Sequence, residues 1–110
     1  MIDFARRKVY ISGPITGKYE SNRAAFQGME DWLTEQGARV YNPQRNQVPK
    51  GTVKADIWSV MMRKSLEDIV KCDSIVMLVD WEDSRGAALE YQIASELAMK
   101  IYNHRLERVG

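Results

Sequence analysis

The stretch that decides the fold is Ser74-Ile75-Val76-Met77-Leu78-Val79, in which every residue after the serine is apolar. Apolar and polar residues do not alternate along it. Such a continuous run is typical of a strand that is buried on both faces, as in a parallel sheet. We therefore predict that residues 74–79 form a central parallel strand.

Segments on both sides of this strand alternate between the patterns of strands and helices. Val9-Tyr10-Ile11 is β-branched and aromatic, and it stops at turn residues, which predicts a strand. Phe26, Met29 and Leu33 recur at helical spacing, with Ser21 or Asn22 as the expected N-cap. We predict strands at residues 8–11, 38–41, 74–79 and 101–102. We predict three helices: one from about residue 22 that closes at Gly37, one over about 56–71 and one over 87–99.

This order predicts an α/β fold: a Rossmann- or flavodoxin-like three-layer sandwich with a parallel sheet of four or five strands. Such sheets bind ligands beyond the carboxyl ends of their strands, where the strand order reverses. Three loops follow predicted carboxyl ends, at 12–19, 42–53 and 80–86, and they contain many of the polar residues and glycines. We expect a small-molecule site there, with a phosphate or sugar as ligand.

Composition excludes several classes of function. The chain has 110 residues and a net charge of +1, which fits one domain over residues 1–110 and argues against a nucleic-acid-binding module with a basic face. No apolar run reaches the roughly 20 residues of a membrane span. We expect a soluble cytoplasmic protein that binds neither nucleic acid nor membrane.

Cysteine and histidine are nearly absent. The single cysteine, Cys72, excludes an internal disulfide and is expected to be a small buried residue. The single histidine, His104, is expected to face solvent. One residue of each type makes a zinc site held by the protein alone improbable. We expect no metal and no cofactor.

Glu90 is the most informative residue. On a helical wheel it falls within the apolar arc of Ala87, Ile93, Ala94, Leu97 and Ala98. Burying a carboxylate on a core-facing stripe costs free energy, so such a residue is expected to be paired with another group or to have a function. It also lies in the first turns of a helix that follows the central strand, on the ligand side of the sheet. A nucleophile or base is one interpretation; a structural glutamate bound to a backbone amide or a tyrosine is the other.

The two glycine-bearing loops offer weaker signals. Ser84 and Gly86 open the last long helix, where free N–H groups bind anions; Ser84 also suits the N-cap, and the two roles are compatible. Residues 12–17 form a glycine-bearing turn that lacks the spacing of a phosphate-binding Walker loop. Tyr10 needs a hydroxyl partner if it is buried, and Trp81 either stacks on a base or covers the sheet edge.

Taken together, three segments resemble the nucleoside 2-deoxyribosyltransferase superfamily. They are residues 9–17, residues 72–79 and Asp83-Ser84-Arg85-Gly86-Ala87-Ala88-Leu89-Glu90. The resemblance spans about residues 8–102 and is strongest to short uncharacterised phage and bacterial members, which are related to the deoxynucleoside 5′-monophosphate N-hydrolases. The Ser-x-Gly-x-x-x-Glu element is its most specific part.

The resemblance implies N-glycosidic bond cleavage or 2-deoxyribosyl transfer on a nucleoside or its 5′-monophosphate. Glu90 matches the nucleophile and Tyr10 the tyrosine that orients it. The loop of residues 13–17 matches the segment around base and sugar, and Ser84 and Gly86 match positions that hold the 5′ end. The expected substrate-binding residues are Ser12, Gly13, Pro14, Ile15, Thr16, Gly17, Asp80, Trp81, Ser84, Arg85 and Gly86.

One position departs from the family pattern. Where the family has an acidic aspartate on the preceding helix, this chain has Ser65, and a serine cannot act as a general acid at neutral pH. Asp68 is expected on a neighbouring face of that helix and could substitute only if the helix were rotated; Asp80 or Asp83 could serve instead, from the loop. Efficient departure of the base is therefore in question.

Three functions remain open. The first is the glycosidase or transferase; the second is a non-catalytic binder of a nucleotide derivative, a sponge or regulator, which Ser65 favours. The third is a protein-interaction module that keeps only the fold. The expected partners are a small nucleoside or nucleotide and a second copy of the chain, because symmetric dimers are the commonest assemblies.

Overall fold

The structure is a computed structural model that describes residues 3–110. Strands and helices alternate along the chain as predicted. Short 3-10 turns lie at Tyr19–Asn22, Pro43–Arg45, Lys54–Asp56 and Trp81–Asp83. The main elements are β1 (Lys8–Ser12), α1 (Arg23–Glu35), β2 (Arg39–Tyr41), α2 (Ile57–Ile69), β3 (Ser74–Met77), α3 (Arg85–Glu96) and β4 (Lys100–Tyr102).

The four strands form one sheet in the order β2-β1-β3-β4, and every neighbouring pair is parallel. Tyr10 of β1 stands in register with Tyr41 of β2 and Ile75 of β3. This confirms the predicted α/β fold with a parallel sheet, here of four strands. The chain leaves β1 toward β2 and leaves β3 toward β4, so the strand order reverses between β1 and β3. A ligand is expected beyond the carboxyl ends of these two strands.

Helices cover both faces of the sheet and make three layers. On one face α1 packs against β1 and β3; on the other, α2 and α3 pack against the same strands and β4. Because side chains alternate along a strand, Val9 and Ile11 face α1 whereas Tyr10 faces α2 and α3. The α1-side cluster is Phe4, Val9, Ile11, Phe26, Leu33, Val76, Leu78 and Tyr102. The opposite cluster is Tyr10, Ile69, Ile75, Met77, Ala87, Ala94, Met99 and Ile101.

β3 and α3 both end earlier than predicted. β3 ends at Met77, because Val79 is half exposed and Asp80 turns the chain with a φ of 68°. α3 ends at Glu96, and Leu97, which the wheel placed in the apolar arc, is half exposed. The backbone at Ala98 has a φ of 55°, which ends the helix one turn before Met99.

Asn22, one of the two expected residues, is the N-cap of α1, but it does not cap the helix through its side chain. Ser21 and Asn22 both have positive φ values, and neither side chain accepts a hydrogen bond from the helix. The Asn22 amide instead donates to the Pro14 carbonyl at 2.9 Å, which ties the start of α1 to the loop after β1. The C-terminal prediction is confirmed, since Gly37 takes the left-handed conformation (φ 89°) that follows many helices. Among residues 3–110, none of the helices is both long and apolar enough to cross a membrane.

Candidate active site

Glu90 lies in the second turn of α3, on the side of the helix that faces the sheet. Its side chain is buried, with 6% exposed, between the buried Ala87 and Ala94 of the same helix. Ser84 starts the helix by accepting a hydrogen bond from the Ala87 N–H at 3.2 Å, which confirms its predicted N-cap role. The wheel therefore placed Glu90 correctly on the core-facing stripe.

Two hydroxyl groups of β1 hold the Glu90 carboxylate. The Tyr10 hydroxyl donates to Oε2 at 3.0 Å, and the Ser12 hydroxyl donates to Oε1 at 2.6 Å. Residues two apart on a strand lie on the same face, so both hydroxyls point from the sheet into the layer of α2 and α3. Each carboxylate oxygen thus accepts one charge-assisted hydrogen bond when Glu90 is ionised.

A third hydroxyl comes from α2. Ser65 is buried, and hydrogen bonding by its side chain lowers the pKa of both Glu90 and Tyr10. The position at which the resemblance calls for an aspartate therefore does lie at this carboxylate, and it supplies a hydroxyl there. Residues from β1, α2 and α3 meet at Glu90.

Burial dominates the electrostatics of this cluster. It raises the pKa of Glu90 above its ordinary value, and hydrogen bonds from Ser12, Tyr10 and Ser65 only partly oppose the rise. Within residues 3–110, no charged side chain adds a further shift to this pKa. Burial, followed by the neighbouring Glu90 charge, raises the pKa of Tyr10 well above its usual value. The phenol proton therefore stays on Tyr10, where it is donated to the carboxylate.

Asp68 was expected on a face of α2 next to that of Ser65, and both side chains are buried. The Asp68 carboxylate accepts hydrogen bonds from Lys64 and from Asn46, each at 3.4 Å. Its charge contributes, as the smallest of the causes, to raising the pKa of Tyr10. The i, i+3 spacing was the signal available in the sequence.

The loop after β1 does not contact Glu90 through its side chains. A Cβ on Gly13 would lie 2.8 Å from Cβ of Leu78, so only glycine lets this loop pack on the end of β3. Ile15 and Thr16 are exposed, and Gly17 turns the chain toward Lys18. Lys18 Nζ lies 2.6 Å from Asp80 Oδ2, which joins this loop to the one after β3.

The aromatic residues near the start of α3 already have partners. Trp81 stacks on Tyr91 with ring centroids 4.4 Å apart, so one of its faces is covered. The Arg85 guanidinium lies 3.7 Å from the ring centre of Trp58 on α2. Gly86 lies against Met62, one turn before Ser65. These contacts pack the start of α3 on α2 and place Ser84, Arg85 and Gly86 one to two turns before Glu90.

Two cavities lie away from the carboxylate. One, of about 300 Å³, opens on the α1 side of the Lys18–Asp80 ion pair and has the exposed His104 at its rim. The other, of about 310 Å³, is formed by α1 and the loop after β2. Glu90 lines neither of them.

A family model matches residues 7–103, a range that contains all four residues of the cluster. Its description is a domain of unknown function, DUF4406. The chain belongs to the DUF4406 family. Tyr10, Ser12, Ser65 and Glu90 are thus parts of a DUF4406 domain. No curated protein matches the chain significantly.

Among solved structures, this DUF4406 domain is similar to a 2-deoxyribosyltransferase from the psychrotolerant bacterium Bacillus psychrosaccharolyticus. The TM-score is 0.71, with 22% sequence identity, over 87% of this chain and 70% of that chain. That enzyme is described as a biocatalyst for the synthesis of antiviral and antitumoral nucleosides. At this identity the likeness establishes the fold alone. It confirms the flavodoxin-like fold that the resemblance implied.

Proposed function

We propose that this protein breaks the N-glycosidic bond of a nucleoside or nucleoside 5′-monophosphate, with Glu90 as the nucleophile. The observation that carries the proposal is the Glu90 carboxylate, buried beside the point where the strand order reverses and oriented by hydroxyls on both of its oxygens. A core that served stability alone would exclude such a group, because burying an ionised carboxylate costs free energy. Perturbed, buried carboxylates are common at functional sites.

The hydroxyl cluster suits a nucleophile. Tyr10 and Ser12 fix the side chain in one orientation, and an ionised carboxylate has about four acceptor positions, so lone pairs remain for a reacting carbon. Attack on the anomeric carbon would form a glycosyl ester and release the base. Water or a second base would then take the sugar, as in retaining glycosidases.

The substrate class is supported by the fold and by the resemblance. The similar solved structure is a 2-deoxyribosyltransferase, and its fold resembles that of this chain. In this proposal residues 12–17 and 80–81 surround the base and sugar. Ser84, Arg85 and Gly86 hold the 5′ end, where a helix start and a cationic side chain favour a phosphate.

A second function is favoured by one observation. Ser65 supplies a hydroxyl to Glu90 at the position where the resemblance calls for an acid. A protein that binds a nucleotide derivative without turning it over would have no use for that acid. The same scaffold would then serve as a sponge or regulator.

One experiment separates the two functions. The purified protein is incubated with deoxynucleosides, ribonucleosides, their 5′-monophosphates and dinucleotides, and free base is measured by chromatography. Glu90→Gln, which keeps the shape and accepts a hydrogen bond through its amide oxygen, is the control. Base release by the wild type but not by Glu90→Gln supports the nucleophile. Release by neither, together with a panel member that raises the melting temperature, supports the binder; undiminished release by Glu90→Gln would overturn the nucleophile assignment.

A further inference from the structure

The groups that hydrogen-bond to Glu90 are hydroxyls. Tyr10 and Ser12 donate to its two oxygens, and Ser65 reaches it from α2. An ordinary nucleobase leaves a sugar as an anion unless it receives a proton, and enzymes that cleave glycosidic bonds usually hold a second carboxyl group for that purpose. General acids work best when their pKa lies near the working pH, a condition that serine and tyrosine do not meet. Burial moves the pKa of Tyr10 still further from that range.

The other carboxylates at this end of the sheet are engaged or exposed. Asp80 pairs with Lys18, and Asp68 accepts hydrogen bonds from Lys64 and Asn46. Glu82 and Asp83 lie on the exposed turn before α3. Among residues 3–110, none of these carboxylates forms a hydrogen bond with Glu90, Tyr10 or Ser12.

We propose that this site acts on N-glycosides whose base is already cationic, such as a pyridinium or an N7-alkylated purinium glycoside. This inference rests on the proposed function, because it names the substrate class of the same site. A cationic base leaves as a neutral molecule and needs no proton. The juxtaposition that carries the inference is one buried carboxylate held by hydroxyls, while Asp68 and Asp80 bond to other groups.

Cleavage of a cationic glycoside by Glu90 needs no reactant other than water. A Glu90 oxygen forms a bond to the anomeric carbon while the carbon–nitrogen bond breaks. The electron pair of that bond goes to the ring nitrogen and cancels its positive charge. Water then attacks the anomeric carbon of the glycosyl ester, the Glu90 carboxylate leaves, and one proton of the water passes to solvent. Each turnover therefore yields one free sugar, one neutral base and one proton.

The charge of the substrate also suits the site. Within residues 3–110, the buried Glu90 carboxylate forms no salt bridge, so it is available to pair with a cation of the ligand. A cationic ring beside Glu90 favours its ionised form, which is the form that attacks. A neutral base offers no such compensation for the burial that raises the pKa of Glu90.

The test compares matched substrates on the wild-type protein. One pair is nicotinamide riboside and its dihydro form, which differ in the charge of the ring; the other is 7-methyl-2′-deoxyguanosine and 2′-deoxyguanosine. Each enzymatic rate is divided by the spontaneous rate of the same compound, because cationic glycosides are less stable in water. We expect this ratio to be at least about a hundredfold larger for the cationic member, the lower end of what a general acid contributes. One proton should appear for each base released.

Two outcomes overturn different statements. Similar ratios for the charged and neutral members would overturn the inference and leave the proposed function standing. Absence of base from all four compounds and from the broader panel above would overturn the proposed function, and the inference with it. A preference for the cationic members that is abolished by Glu90→Gln supports both.

A pair of variants at Ser65 gives a second readout. Ser65→Asp adds an acid where Ser65→Asn adds only an amide of the same size. We expect Ser65→Asp to cleave the neutral substrates about tenfold faster than Ser65→Asn, with a rate that falls at high pH as the new acid loses its proton. Equal rates in two folded variants would overturn the inference. If Ser65→Asp does not fold, the comparison of substrates on the wild type still decides.

Discussion

Replacing Ser12 by alanine tests whether the hydroxyl cluster holds an ionised carboxylate. Ser12 is fully buried, and its hydroxyl lies 2.6 Å from Oε1 of Glu90. The variant removes one hydrogen bond to a charged acceptor, a contribution of about 1.5–3 kcal/mol, and leaves only a hydroxyl-sized space. The main chain is unaffected, since it is the Ser12 carbonyl that accepts from Leu78 N–H. We expect a loss of about 2 kcal/mol in the free energy of unfolding at pH 8, or about 10 °C in Tm.

The pH dependence of this loss has a defined sign. Burial raises the pKa of folded Glu90 above its ordinary value of 4.5, so stability falls as pH rises from there through the folded pKa. The Ser12 bond lowers that pKa, so its removal makes the total loss of stability larger. Below pH 4.5 the carboxyl is protonated in both states, and the loss should shrink to that of a neutral hydrogen bond, about 1 kcal/mol.

The assay is urea unfolding of wild type and Ser12→Ala at pH 4 and pH 8. Ser95→Ala is the matched control, because Ser95 is exposed on α3, and it should stay within about 0.5 kcal/mol of wild type. The other carboxylates also make the free energy of unfolding depend on pH, but their contributions cancel in the difference between the two proteins because both proteins carry them. A Ser12→Ala loss that is equal at the two pH values, or below 0.5 kcal/mol at pH 8, would refute an ionised Glu90 held by Ser12.

Three further predictions follow from the same structure. Gly13→Ala should destabilise the protein by roughly 1–3 kcal/mol in urea unfolding, because its Cβ would lie 2.8 Å from Leu78 Cβ; an unchanged midpoint would show that the loop packs differently. Burial raises the pKa of Cys72 to about 12, so a thiol reagent at pH 8 should label it far more slowly in the folded protein than in urea, and equal rates would contradict this burial. Light scattering at micromolar concentration should give a mass of twice 12.7 kDa, as expected for a symmetric dimer, and a monomeric mass would exclude it.

The order of elements and the position of Glu90 could be predicted because they depend on local patterns. The unbroken apolar run at β3 predicted a buried central strand, and the helical spacing in α1 predicted a helix that packs on the sheet. Right-handed crossovers between parallel strands then predicted helices on both faces. The wheel of α3 placed Glu90 toward the core, on the same stripe as Ala87 and Ala94, which are both buried. Leu97 failed on the same wheel because the helix ends before it, and no strong cap signal marks that end.

Contacts between elements were harder to predict. The pairing of Tyr10 with Ser12 follows from the alternation of a strand, yet their shared acceptor on α3 depends on how the two elements pack. Ser65 reaches Glu90 only because of the rotation of α2 about its axis, which sequence periodicity defines loosely. The position of the N-cap of α1 was predicted, but its side-chain contact was not, because the Asn22 amide binds the Pro14 carbonyl rather than its own helix.

The central claim is that Glu90 forms a bond to the sugar, and mass spectrometry of the protein tests it most directly. A nucleoside fluorinated at C2 of the sugar slows the transfer to water, so a glycosyl-enzyme accumulates. We predict a mass increase of one fluorinated glycosyl group on the wild type, located on the peptide that contains Glu90 and absent from Glu90→Gln. Base release from the parent nucleoside without any adduct, or the same adduct on Glu90→Gln, would contradict the claim.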